Sequence, residues 1–128
     1  MIAAALTSEE VKNLTNFAHA LGLEVLLEIH NEQEFLNNAQ ASIDLIGVNN
    51  RNLKTFEVSI ETSKKLSSLI PDVMVKVSES GIDDPKSILE LRKFGFKGFL
   101  IGQAFMQQAN PEKACEEFMN ELSKTQLP

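Results

Sequence analysis

Residues 72–105 read DVMVKVSESGIDDPKSILELRKFGFKGFLIGQAF. Val73 to Ser78 (VMVKVS) has the composition of a β-strand. Glu79, Ser80 and Gly81 interrupt it with a glycine-containing turn. Asp84 and Pro85 then supply a helix N-cap and a first helical residue of fixed φ. Gly95 closes that helix, and Gly98 to Ile101 (GFLI) reads as the next strand. A strand that returns after a helix pairs in parallel, because the chain must cross back to the same sheet end.

The same alternation extends outward in both directions. Ile2 to Leu6 is a short apolar run. Thr7 with Glu10 forms a capping box. Val11, Leu14, Phe17, Ala18 and Leu21 then mark one apolar helix face, and Gly22 ends it. Glu24 to Ile29 reads as a strand and Asn31 as the cap of a second helix, with Glu34 three residues on. Asp44 to Val48 is a third strand, followed by the polar loop NNRNLKTFEVS. Ser59 caps a helix through Leu69, which Pro71 ends. Asn110 and Pro111 open a terminal helix to Ser123, and Lys124 to Pro128 fray. The reading is five β-α units with no repeated sequence and no linker, so residues 1–128 form a single domain. Two architectures fit. A flavodoxin-like doubly wound sheet closes within this length, whereas a (β/α)8 TIM barrel needs about 250 residues.

Composition narrows the function. The chain has 128 residues, with 12 Lys plus Arg against 18 Asp plus Glu, a net charge of 12 − 18 = −6. That balance argues against a nucleic-acid partner, which requires a basic face. No apolar run approaches the ~18 residues of a membrane span, and no secretory leader pattern is visible. Cys115 is the single cysteine, which fits a reducing, cytoplasmic setting. No CxxC, HExxH, GxGxxG or P-loop spacing is present, so the expectation is no metal and no cofactor.

Parallel α/β folds place their chemistry at the carboxyl ends of the strands. Glu28, Asn49 with Arg51, Glu79 with Ser80 and Gly81, and Gly102 with Gln103 all stand there. Alternation of side chains puts Glu28 on the face of Leu26, Asn49 on that of Leu45 and Gly47, and Glu79 on that of Val75 and Val77. Each polar end caps an apolar column. Lys76 points the other way, as an ion-paired or snorkelling lysine. SESG and IGQA have the glycine that lets an anion approach backbone N–H groups, and Arg51 suits a carboxylate. Taken singly, a lone Glu at a strand end such as Glu28 or Glu79 is usually a solvated rim residue, and SESG and IGQA also read as plain turns. His30 fits rim hydrogen bonding better than base chemistry, and His19 and Cys115 fit packing roles.

These residues resemble a known family. GLEVLLEIHNEQE (22–34), DLIGVNNRNLKTFEV (44–58), LIPDVMVKVSESGI (69–82) and GFKGFLIGQAFM (95–106) are similar to indole-3-glycerol-phosphate synthase of tryptophan biosynthesis. IGVNNRNLKTFE is the most specific stretch, and the likeness runs from Ile2 along nearly the whole chain. The resemblance implies a TIM barrel of which this chain is the carboxyl-terminal half, strands four to eight. It implies a lyase that closes the indole ring of 1-(2-carboxyphenylamino)-1-deoxyribulose 5-phosphate with loss of carbon dioxide and water. By the same resemblance Glu28 and Glu79 are catalytic. Asn49, Arg51 and Ser80 bind substrate, and Gly81, Gly102 and Gln103 hold its phosphate. Gln103 replaces the small serine or the glutamate of many relatives, a change that still leaves a backbone amide for an anion.

The resemblance also implies an absence. The family's essential lysines lie on the first and third strands, and neither Lys54 nor Lys76 stands at an equivalent place. The expectation is a chain inactive alone, whose exposed lumen face draws it into a homodimer or higher oligomer, or onto a missing amino-terminal half. The alternative is a non-catalytic half barrel that binds phosphate or a sugar phosphate and oligomerises. A different phosphosugar barrel enzyme fits NNRNLKTFE poorly.

Overall fold

A computed structural model describes residues 1–125. Four strands alternate with helices: α1 (Ser8–Ala20), β1 (Leu26–Ile29), α2 (Glu32–Asn37), β2 (Leu45–Asn49), α3 (Glu61–Ser67), β3 (Val75–Glu79), α4 (Pro85–Arg92), β4 (Phe96–Leu100), α5 (Gln103–Met106) and α6 (Pro111–Thr125). All neighbouring strands pair in parallel, in the spatial order β1-β2-β3-β4. This order decides between the two architectures. A doubly wound sheet reverses its strand order at a switch point, whereas a barrel adds strands in sequence around an arc.

Burial agrees with an arc. Leu27, Ile29, Ile46, Val48 and Phe96 are at most 2% exposed and join one cluster with Val11, Phe35, Leu66, Ile88, Leu91, Phe118 and Leu122 from the helices. Burial of each large aliphatic side chain contributes ~1.5–3 kcal/mol. The other sheet face carries Leu26, Leu45, Val75, Val77 and Leu100, all outside that cluster, with Val75 39% and Leu100 52% exposed. The helices therefore cover one face, and the face that lines a barrel's interior is open.

Thr7, Asn31 and Asp84 cap their helices as the sequence predicts. Thr7 Oγ1 accepts from Glu10 N at 3.2 Å, and Thr7 N donates to Glu10 Oε2 at 2.8 Å. Asn31 Oδ1 accepts from Glu34 N at 2.9 Å, and Asp84 Oδ1 from Lys86 N at 2.7 Å. Lys76 is buried on the helix side and pairs with Asp72 at 3.3 Å. His19 holds Asp44 at 2.8 Å, a structural role as expected.

Four expectations need correction. Ile2 to Leu6 is not a strand: Ile2 makes a single parallel bridge to Glu28, and Ala3–Ala5 turn into a 3-10 helix. Met1 N donates to Leu26 O and Glu28 N to Met1 O, both at 2.8 Å, so the pairing lasts for only two residues. The three alanines that follow have low strand propensity and no bulk to pack across a ladder. The buried face of α1 is Val11, Thr15 and Ala18, while Leu14, Phe17 and Leu21 are 45%, 66% and 61% exposed. Helix α3 is shorter than Ser59 to Leu69. Its N-cap Ile60 makes no side-chain bond, and Ser59 Oγ accepts from Glu61 N at 3.3 Å. At the carboxyl end Lys124 and Thr125 are helical, and residues 126–128 of the segment expected to fray lie outside the described residues.

Candidate functional site

The strand register brings the polar ends together. Glu28 stands opposite Gly47, Asn49 opposite Glu79, and Glu79 opposite Leu100, so all three polar side chains share the open sheet face. Asn49 Nδ2 donates to Glu28 Oε1 at 3.0 Å, and Asn49 Oδ1 accepts from Arg51 N at 2.9 Å. The amide is thus used on both sides, aiming the Glu28 carboxylate while tethering the start of the following loop.

Glu79 is only 7% exposed. Its carboxyl occupies the space left by Gly47, where a Cβ would stand 1.9 Å from Glu79 Oε1. Oε1 has no hydrogen-bond partner among the described residues. Burial pushes the Glu79 carboxyl up to about 8, and the neighbouring Glu28, through hydrogen bonding and charge, pushes it the same way. Protonation gives Glu79 a donor to share with Glu28. One carboxyl that holds its proton near neutrality beside another is an arrangement suited to proton exchange.

Beside this pair lies a cavity of ≈ 700 Å³, bordered by Arg51, Ser80, Gly81, Ile82, Gly102 and Gln103. Ser80 and Gly81 both have positive φ, 69° and 70°. Gly81 is required twice over, since a Cβ there would also meet Val58 Cγ1 at 2.3 Å. A Cβ on Gly102 would meet nothing within 4 Å, so its backbone faces open space. Arg51 Nη2 donates to Gln103 Oε1 at 2.9 Å, joining the loop after β2 to the start of α5. Arg51 is therefore held by an amide rather than by a carboxylate of this chain.

The loop NNRNLKTFEVS is ordered by hydrogen bonds within itself. Asn52 Oδ1 accepts from Lys54 N at 2.8 Å and Thr55 N at 3.1 Å, and Arg51 bridges Val58. His30 makes rim hydrogen bonds, as expected: its backbone N and Nδ1 lie 2.7 Å and 3.2 Å from Glu34 Oε2. It borders a second cavity of ≈ 460 Å³ that also reaches Asn49 and Arg51.

Sequence reasoning missed Asn50 and the space-making role of Gly47. Asn50 is 2% exposed. Its Nδ2 donates to Ser78 Oγ and Ser80 O, each at 3.0 Å, and its Oδ1 accepts from Ser63 N at 3.1 Å and Ser63 Oγ at 2.8 Å. The doubled Asn49-Asn50 is the available signal. Strand alternation puts Asn50 on the helix side, where a buried amide is not sought. Among the described residues no helix is long and apolar enough to cross a membrane.

Comparison with known proteins places this geometry in a family. The family model for indole-3-glycerol phosphate synthase matches residues 1–118. The chain is 48% identical over 122 residues to the indole-3-glycerol phosphate synthase of Bacteroides thetaiotaomicron, covering 95% of this chain and 46% of that protein. It is 40% identical to that of Leuconostoc mesenteroides, covering 94% of this chain and 46% of that protein. The chain thus spans about half the length of the curated relatives it matches. In fold it is similar to a solved structure described as native KDPGal, with a TM-score of 0.65 at 13% identity, over 93% of this chain and 53% of that one. With four parallel strands in sequential order and one sheet face uncovered, the chain is about half of a TIM barrel, and it belongs to the indole-3-glycerol phosphate synthase family.

Proposed function

We propose that this chain supplies the carboxyl-terminal half of an indole-3-glycerol phosphate synthase, a carbon–carbon lyase acting in a cytoplasmic setting. In this reading the substrate is 1-(2-carboxyphenylamino)-1-deoxyribulose 5-phosphate. Its phosphate sits against the backbone at Gly81, Gly102 and Gln103, with Arg51, Asn49 and Ser80 contacting the rest. Closing the indole ring needs a proton donor for the departing hydroxyl and a base to restore aromaticity. Glu28 and Glu79 are the groups offered for those transfers. The observation that carries the reading is Glu79, buried in the space left by Gly47, raised to about 8 and set beside Glu28.

The same reading leaves the chain inactive by itself, because the family's lysines of strands one and three have no counterpart in it. The open lumen face is completed by the amino-terminal half of the barrel. Two observations support that occupant. The relatives are about twice as long as the match. The exposed stripe Leu14, Phe17 and Leu21 also lies on the flank of α1 opposite His19, whose bond to Asp44 faces β2. A barrel unit preceding β1 would cover that flank.

The test follows indole fluorescence, against which a chain without Trp or Tyr contributes little. The chain alone should give no turnover. Adding the amino-terminal half of a synthase should restore it, with a 1:1 complex by analytical ultracentrifugation. Robust turnover by the chain alone overturns the inactivity. Failure of the halves to associate, or a stable homodimer that excludes the other half, overturns the choice of partner.

A further inference from the structure

We propose that Asn50 is a positioning residue that sets the turn at the end of β3, and through it the Glu79 carboxyl and the Ser80–Gly81 backbone. The inference rests on the site reading above and extends it to a side chain that bonds neither the Glu28 nor the Glu79 carboxyl. Asn50 has two side-chain donors and two acceptor sites, and all four are used. Its partners come from three elements: Ser63 of α3, Ser78 of β3 and Ser80 just beyond β3. Ser63 and Ser78 are both 0% exposed, and their hydroxyl oxygens lie 2.7 Å apart. The Asn50 backbone N also donates to Glu79 O at 2.8 Å, continuing the β2–β3 ladder one step past β2.

The turn that this network holds needs holding. Ser80 is a non-glycine residue at φ 69°, a conformation that persists only where surroundings enforce it. The Asn50 Nδ2 bond grips the carbonyl of that residue. A fully satisfied buried network is rigid, whereas removing one member leaves several buried groups unpaired. With the grip lost, Ser80 relaxes from positive φ. The amides that follow then swing away from the ≈ 700 Å³ cavity, and water reaches Glu79 Oε1.

The experiment compares Asn50→Ala with Ser63→Ala in the full chain. Ser63→Ala disturbs the same network but leaves both Nδ2 bonds. Two readouts are followed by NMR: inorganic phosphate titration of the Gly81 and Gly102 amides, and the pH midpoint of the Glu79 carboxyl. Asn50→Ala should weaken phosphate binding about tenfold and lower the Glu79 midpoint by at least about one unit. Ser63→Ala should leave both within about twofold and a few tenths of a unit, whatever its cost in stability. Equal changes in the two variants, or none in Asn50→Ala, overturn the proposal.

If wild type does not respond to phosphate, the phosphate reading fails, and the Glu79 midpoint still decides the role of Asn50. Should Asn50→Ala fail to fold, the wild-type Asn50 side-chain amide protons decide instead. They should exchange with water far more slowly than those of Asn49. Equal rates refute the grip on Ser80.

Discussion

Replacing Glu79 by Gln should remove most of the pH dependence of this chain's stability across the weakly acidic and neutral range. Burial, joined by Glu28, raises the Glu79 carboxyl from 4.5 to about 8 in the folded chain. The unfolded chain has no such burial, so the folded state holds this proton more tightly. Stability from this group is fully present below about pH 4.5. It falls as pH rises through the window and levels off above about pH 8. The difference is 8 − 4.5 = 3.5 units. At ~1.4 kcal/mol per unit, the ceiling on the loss is on the order of 5 kcal/mol.

The glutamine side chain of Glu79→Gln would have nearly the same shape in the space beside Gly47, stay neutral at every pH and donate to Glu28. The assay is urea unfolding followed by circular dichroism, for both chains, at about pH 5 and about pH 9. Wild type should lose several kcal/mol more than the Gln variant between those conditions. A difference below about 1 kcal/mol would refute the burial argument and with it the raised carboxyl.

Two further outcomes follow from local geometry. Gly81→Ala should destabilise the chain by about 2–4 kcal/mol, because the residue sits at φ 70° and its new Cβ would meet Val58 Cγ1 at 2.3 Å. An unchanged thermal midpoint would show that the rim loop is not packed against it. Asp44→Asn should matter fully above about pH 3.8 and progressively less below it. Its carboxyl is held below the usual range by the His19 bond and then by Val25 N, so its contribution is lost as pH falls through that lowered value. Equal acid sensitivity of the two chains would count against it.

Much of this fold is legible residue by residue. Thr7, Asn31 and Asp84 cap their helices because a short polar side chain reaches the next turn's N–H without help from distant contacts. The face shared by Glu28, Asn49 and Glu79 follows from strand alternation alone. Where sequence and structure part, a distant neighbour decides. Leu14, Phe17 and Leu21 have helical apolar spacing and yet lie exposed, since a spacing says that a face is apolar and not what covers it. Ile2 to Leu6 is an apolar run, but only Ile2 of it bridges β1.

The sequence by itself determined the parallel β-α alternation, the polar strand ends and, through motifs, the family. Tertiary structure decided three other things: that the strands run in sequential order around an arc, that Glu79 loses its water in the gap left by Gly47, and that Asn50 ties three elements together. The physical reason is range. Caps, turns and alternation are set within a few residues of chain. Desolvation of a carboxyl and saturation of a buried amide depend on groups that meet only after the sheet has formed.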